Sequence, residues 1–217
     1  MPAALPEQTL RVATLLSFAG GGLDAFTWVG HGGVFANAQT GNVVLLGVFA
    51  AAGAWRQAAL HIPPIVAFIC GVLLAHLLRW RGAHRAGVFS LGVEILLLLV
   101  VAALPGDIPD LPIVLGISFV AAQQSSSFAK VGPWGYSSVM TTGNLRRMAE
   151  ALFEGLTPPR DPTALAQCGT FAAVCGCFAL GAAAGALATA HLGNAAVAIA
   201  ILPLLAALAL CLRRPSG

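Results

Sequence analysis

Charge is scarce in this chain. Only 9% of its 217 residues are Asp, Glu, Lys or Arg, where an average soluble domain carries roughly 25%. Hydrophobic residues make up 58% and the mean hydropathy is +0.87. A soluble 22.0 kDa protein has too little interior to hide that much apolar surface, so the composition calls for an integral membrane protein. Basic runs are missing, which argues against a nucleic-acid partner. Cysteine is sparse: Cys70, Cys168, Cys175, Cys177 and Cys211 all lie in or beside apolar segments. Cys175-Gly-Cys177 lacks the spacing of a zinc or redox pair, so these residues read as small packing groups without a disulfide framework. There is no His-Glu-x-x-His, phosphate loop, nucleophile elbow or dinucleotide fingerprint. The expectation is therefore a protein without enzymatic activity, metal or cofactor.

Long apolar runs are abundant instead. A spanning helix needs about 20 mostly apolar residues. Six segments meet or approach this, at 10–29, 62–79, 87–104, 111–129, 164–187 and 191–212. Arg11 is the lone basic residue ahead of the first, and no convincing cleavage site follows, so that stretch is expected to be a retained span. Lys and Arg concentrate in cytoplasmic loops. With six spans and a cytoplasmic N-terminus, 10 of the 11 basic residues fall inside, leaving only Arg56 outside with Asp107 and Asp110. Making the stretches at 34–54 and 136–155 span as well weakens this bias, so six spans are expected, with both termini cytoplasmic.

One polar, helix-breaking tripeptide occurs twice. Thr-Gly-Asn stands at Thr40–Asn42 and again at Thr142–Asn144. Superposing the two without gaps matches 8 of the 28 positions from 26 to 53, where chance in this composition gives about two or three. Cys70-Gly71 and Cys175-Gly176 continue the match after a three-residue shift. Each half, 1–107 and 108–217, then holds three spans and one triplet segment. Because three is odd, the second half enters the membrane from the opposite face, giving two inverted repeats in a single membrane domain. Duplication that serves packing alone is the competing reading.

Each triplet segment is expected to be re-entrant or interfacial. As a helix, Asn42 to Ala54 would run about 20 Å, somewhat over half of the hydrocarbon core. Thr40, Gly41 and Asn42, and likewise Thr142, Gly143 and Asn144, would cap paired half-helices whose N-termini face one another. Such N-termini carry partial positive charge. An amphipathic interfacial helix suits the second segment, with Arg146, Arg147, Glu150 and Glu154, better than the apolar first.

Intramembrane ionisable residues are candidate sites. Asp24 follows Gly20-Gly21-Gly22, whose small size permits bending or close backbone approach. Its counterpart in the second half is Ser126, within Gln123 to Ser127. Asp24 is expected either to bind a cation or proton, or to serve its own helix break or the half-helix N-terminus. Glu94 and His76 are expected at similar depth, as a proton relay or a buried structural pair. His61, His84 and His191 are expected at the interface. Gly181 to Gly185, Gly-Ala-Ala-Ala-Gly, reads as a helix-packing face.

The run from Gly21 to Asn42, GGLDAFTWVGHGGVFANAQTGN, resembles the signature of the YoaK-like family, bacterial multipass membrane proteins of unknown function. The resemblance rests on Gly21, Asp24, Ala25, Phe26, Phe35, Asn37, Thr40, Gly41 and Asn42, and extends to Thr141–Leu145. Gln39 departs from the Met frequent in that family. The resemblance implies a bacterial inner-membrane protein and brings no established substrate.

The residues themselves favour a small-solute transporter or channel. Its central site would comprise Asp24, Asn37, Thr40, Gly41, Asn42, Gln123, Ser126, Thr142, Gly143 and Asn144, with Asp24, Glu94 and His76 as ion- or proton-coupling groups. The bilayer and an unidentified solute are the expected partners, and a homo-oligomer stays open. The alternative is a non-transporting subunit or regulator that binds a protein or lipid.

Overall fold

The computed structural model describes residues 6–82, 85–106 and 108–213. His84, expected at the interface, and Asp107 and Arg214, counted above for orientation, lie outside the described residues. The rest is an all-α membrane protein with one two-residue hairpin. Nine α-helices follow in order: α1 (Leu10–Gly30), α2 (Gln39–Ala51), α3 (Trp55–Leu60), α4 (Ile62–Trp80), α5 (Ala86–Ala103), α6 (Asp110–Ser127), α7 (Thr141–Leu156), α8 (Ala164–Leu192) and α9 (Ala198–Leu212). Strands β1 (Lys130–Val131) and β2 (Trp134–Gly135) pair between α6 and α7.

Among the described residues four segments are long and apolar enough to cross a membrane: Leu10–Gly30, Trp55–Trp80, Ala86–Ala103 and Ala164–Leu212. The last holds two helices, α8 and α9, separated by a 3-10 turn at Gly193–Val197. Gly193 has φ of 54°, a left-handed conformation that ends α8 where other residues would be strained. The sequence reading placed this break earlier, near residue 190. α6 was expected to span, yet it is not among the four segments, because its last turn is Gln-Gln-Ser-Ser-Ser.

α1 lies at the centre. It packs along α8 and also against α9, while α4 packs along α6. Glycine makes the α1–α8 approach possible: a Cβ at Gly181 would collide with the Phe18 carbonyl, and one at Gly185 would stand 2.5 Å from the Gly22 carbonyl oxygen. The Gly-Ala-Ala-Ala-Gly face is therefore a packing face within the chain, and Gly20–Gly22 serve close approach. The main core joins Leu16, Leu23 and Phe26 of α1 with Leu91 and Leu98 of α5, Ile117 of α6 and Leu204 of α9. Leucines on the outside, including Leu73, Leu96, Leu180 and Leu202, are exposed and form the lipid-facing surface.

Polar contacts tie the helix ends together. At one end, His31 Nδ1 lies 2.8 Å from Asp110 Oδ1, joining the C-end of α1 to the start of α6. Asn194 Nδ2 donates to the Leu104 carbonyl at 3.2 Å, joining the ends of α5 and α8. At the other end, Gly132 N donates to the Gln8 carbonyl at 2.7 Å, and Arg79 donates to the Ser126 carbonyl. The basic residues Arg79 and Lys130 thus collect at the end opposite Asp110.

Candidate functional site

The two triplets lie inside the first turns of α2 and α7 and are not themselves the caps. α2 begins at Gln39 and α7 at Thr141, each ahead of its Gly-Asn, and neither N-cap residue, Ala38 or Met140, makes a side-chain cap bond. This corrects the expectation that the helices start at the asparagines. The asparagine side chains turn back instead. Asn42 Oδ1 accepts from Phe35 N at 3.0 Å, and its Nδ2 donates to the Phe35 carbonyl at 2.7 Å. Asn144 makes the same pair with Ser137, at 3.3 Å and 2.7 Å. In both cases the partner stands seven residues earlier, so each asparagine closes a loop onto its own helix. A carboxamide suits this task, because it carries a donor and an acceptor side by side.

The N–H groups that enter each helix are satisfied differently in the two halves. In the first, Asp24 Oδ1 accepts from Asn37 N at 2.7 Å and from Ala38 N at 3.3 Å. In the second, the equivalent groups, Val139 N and Met140 N, donate to Ser137 Oγ at 3.3 Å and 3.1 Å. A carboxylate brought from α1 thus does the work of a local hydroxyl. Of the two roles expected for Asp24, the structural one is present. Asn37 adds to the same unit, its Nδ2 donating to the Gly20 carbonyl at 3.1 Å, and Thr27 Oγ1 accepts from Ala36 N at 3.1 Å.

Between the segments lies a cavity of about 950 Å³. Gln39 and Thr40 contribute from α2; Thr141, Thr142, Gly143, Asn144 and Arg147 contribute from α7. Asp24, Trp28 and Val29 of α1 and Phe178, Ala182 and Ala186 of α8 complete much of the wall, which is largely apolar. Asp24 is 5% exposed. Among the described residues its Oδ2, together with Asn37 Oδ1, Thr141 Oγ1 and Tyr136 Oη, has no hydrogen-bond partner, an arrangement costly for buried polar atoms.

Of the residues selected from sequence, Asp24, Thr40, Thr142, Gly143 and Asn144 line this cavity. Asn37, Gly41, Asn42, Gln123, Ser126, Glu94 and His76 do not line it. Gly41 faces the Phe35 ring, which a Cβ there would meet at 2.8 Å. Gln123 is buried with both amide atoms unpartnered, and its neighbour Gln124 accepts from Ser138 Oγ at 2.8 Å. Ser126 offers its carbonyl to Arg79. Glu94 and His76 are not a pair: Glu94 is buried with Oε2 unpartnered, whereas His76 is exposed beside Arg79, whose Nη2 lies 3.1 Å from Nδ1. His61, at the start of α4, is buried, its Nδ1 3.2 Å from Asn42 Oδ1 and its ring stacked on Phe49. Phe35, a residue of the signature, also lines the cavity, as do Trp28, Tyr136, Ser137 and Phe178, which were not singled out from sequence. For Ser137 the signal existed, since it stands opposite Phe35 when the triplets are superposed.

The fold and this cavity define an all-α integral membrane protein with two buried, asparagine-clasped loops flanking one chamber. A family model described as protein of unknown function (DUF1275) matches residues 12–210, and the chain belongs to that family. It is also 29% identical over 157 residues to the UPF0700 transmembrane protein YoaK of Bacillus subtilis (strain 168), a match that covers 69% of each chain. No solved structure matches.

Proposed function

We propose that the protein is a small-solute transporter or channel of the bacterial cytoplasmic (inner) membrane. The carrying observation is the 950 Å³ cavity lined by both Thr-Gly-Asn segments. Six spans, α1, α4, α5, α6, α8 and α9, arranged as two inverted halves at 1–107 and 108–217, are part of this reading. Several features support it. The Asn42 and Asn144 clasps are equivalent under the repeat. The repeat exchanges α1 with α6 and α8 with α4, so it turns the α1–α8 packing into the α6–α4 packing, and both are extensive. The end contacts of His31 with Asp110 and of Arg79 with the Ser126 carbonyl are those expected of spans that alternate in direction. Basic residues at the end opposite Asp110 support cytoplasmic termini. Opposed repeats with broken helices at their interface are a recurring construction for solute sites.

Stopped-flow scattering of proteoliposomes challenged with neutral, cationic and anionic organic solutes tests the proposal. One class is expected to permeate faster than through protein-free vesicles. Gly143→Leu should stop that flux while the protein stays folded, because Gly143 lines the cavity and a Cβ there meets nothing within 4 Å. No flux of any class, or full flux in the variant, would refute the reading.

A further inference from the structure

We infer that the solute of this cavity is an organic monocation, an ammonium head on a small apolar body, whose head is held by Asp24. The inference rests on the transporter reading for the position of the solute and goes beyond it in chemical class.

Asp24 lines the cavity and is 5% exposed. One carboxyl oxygen is committed to the N–H groups of Asn37 and Ala38, and the other, Oδ2, has no partner. A buried carboxyl oxygen without a donor, on a residue of the cavity wall, calls for a group rich in donors and positive in charge. An ammonium has up to three N–H donors, no acceptor and the complementary charge.

The surroundings select the rest of the molecule. One turn further along α1, Trp28 stacks on Phe35 with ring centroids 4.6 Å apart, and both line the cavity. Aromatic faces attract cations and apolar bodies alike. Across from them Ala182 and Ala186 leave room where larger residues would fill it.

Arg147 is the other charged group in the wall, and its position argues against a small zwitterion. Its Nη1 donates to the Gly135 carbonyl at 2.6 Å, and its guanidinium carbon lies 6.0 Å from the centre of the Phe171 ring. Phe171 shares a packed cluster with Ala13. Ala13 precedes Asp24 by 11 residues on α1, which is about 16 Å along the helix axis. Arg147 is thus engaged with Gly135 and Phe171, toward the part of α1 that precedes Asp24. The Asp24 end of the cavity is largely apolar with one acidic group, and the wall's guanidinium is engaged elsewhere.

The test uses the full chain in detergent and three probes of one shape: phenethylammonium, phenethyl alcohol and phenylacetate. Calorimetric titration should show binding of phenethylammonium and, for the other two, at least ~10-fold weaker binding, equivalent to 1.4 kcal/mol. Asp24→Asn keeps an oxygen for Asn37 N and Ala38 N and removes the charge. It should keep most of the parent's stability and bind the cation at least ~10-fold more weakly. Equal binding of the alcohol, unchanged cation binding in Asp24→Asn, or no cation binding by the parent overturns the inference; the probe comparison on the parent decides even where the variant does not fold. Flux of neutral or anionic solutes without cation binding sinks the cation class alone. Cation binding with no flux of any solute sinks the transporter reading alone.

Discussion

Asp24 Oδ1 accepts the backbone N–H of Asn37 at 2.7 Å, so a carboxyl group of α1 holds the chain just ahead of α2. This bond couples the cavity wall to the start of a triplet helix. It also makes Asp24 a structural residue, independent of any ligand. Asp24→Ala should leave the N–H groups of Asn37 and Ala38 unpaired and destabilise the protein by about 2–6 kcal/mol, given about 1–3 kcal/mol for each buried donor. Asp24→Asn should recover most of that loss. Thermal unfolding in detergent reads the difference, and equal melting of the two variants would contradict the assignment.

Asn42 and Asn144 make the same clasp, but Asn42 holds more. Besides Phe35, its Nδ2 donates to Gln39 Oε1 at 2.8 Å and its Oδ1 lies 3.2 Å from His61 Nδ1. Both Asn→Leu variants should therefore lose stability before they lose anything specific to a solute. The loss should be larger for Asn42→Leu than for Asn144→Leu. A melt in which the order is reversed counts against the hydrogen-bond account.

Glycine at 181 is required by the backbone of α1, whereas glycine at 176 is not. Gly181→Ala pushes a methyl group into the Phe18 carbonyl, which cannot swing aside. It should cost about 1–3 kcal/mol, the usual range for overpacking. Gly176→Ala, with nothing within 4 Å of its Cβ, should be neutral or slightly stabilising. Unfolding curves of the two variants, made on the same face-bearing helix, check the prediction directly.

Orientation is open to chemical labelling. In a variant with the five native cysteines replaced, Gly33→Cys and Gly193→Cys should react with an impermeant maleimide added outside cells. Lys130→Cys should react only after the membrane is opened. Labelling of Lys130→Cys from outside would break the proposed arrangement.

Much of this was legible in the chain, and the failures have physical causes. The helices of α1, α4 and α5 fall within a residue or two of their expected limits, because lipid demands a run of apolar residues of known length. The start of α9 was misplaced because α8 runs on to Gly193 and a 3-10 turn then precedes α9, while the apolar run from Ala195 onward marks no boundary of its own. The Glu94–His76 pairing failed because depth along a helix says nothing of which way a side chain turns. For His61 the sequence marked a helix start but not its partners, and the fold stacks it on Phe49 and sets it beside Asn42.

The sequence alone determined that this chain lives in a membrane, roughly where its helices run, and that two Thr-Gly-Asn segments are its paired polar breaks. Those conclusions follow from composition and spacing, which report total burial and length. Only the tertiary structure decided that the threonines line the chamber while Asn42 turns away to clasp Phe35. It also decided that Asp24 stands beside Trp28 and Phe35 at one end, with Arg147 far down the other. A helix that is apolar all round carries no periodic signal for its inner face. Which face meets the chamber is set by packing, and here the close approach of α1 to α8 at Gly181 and Gly185 sets it.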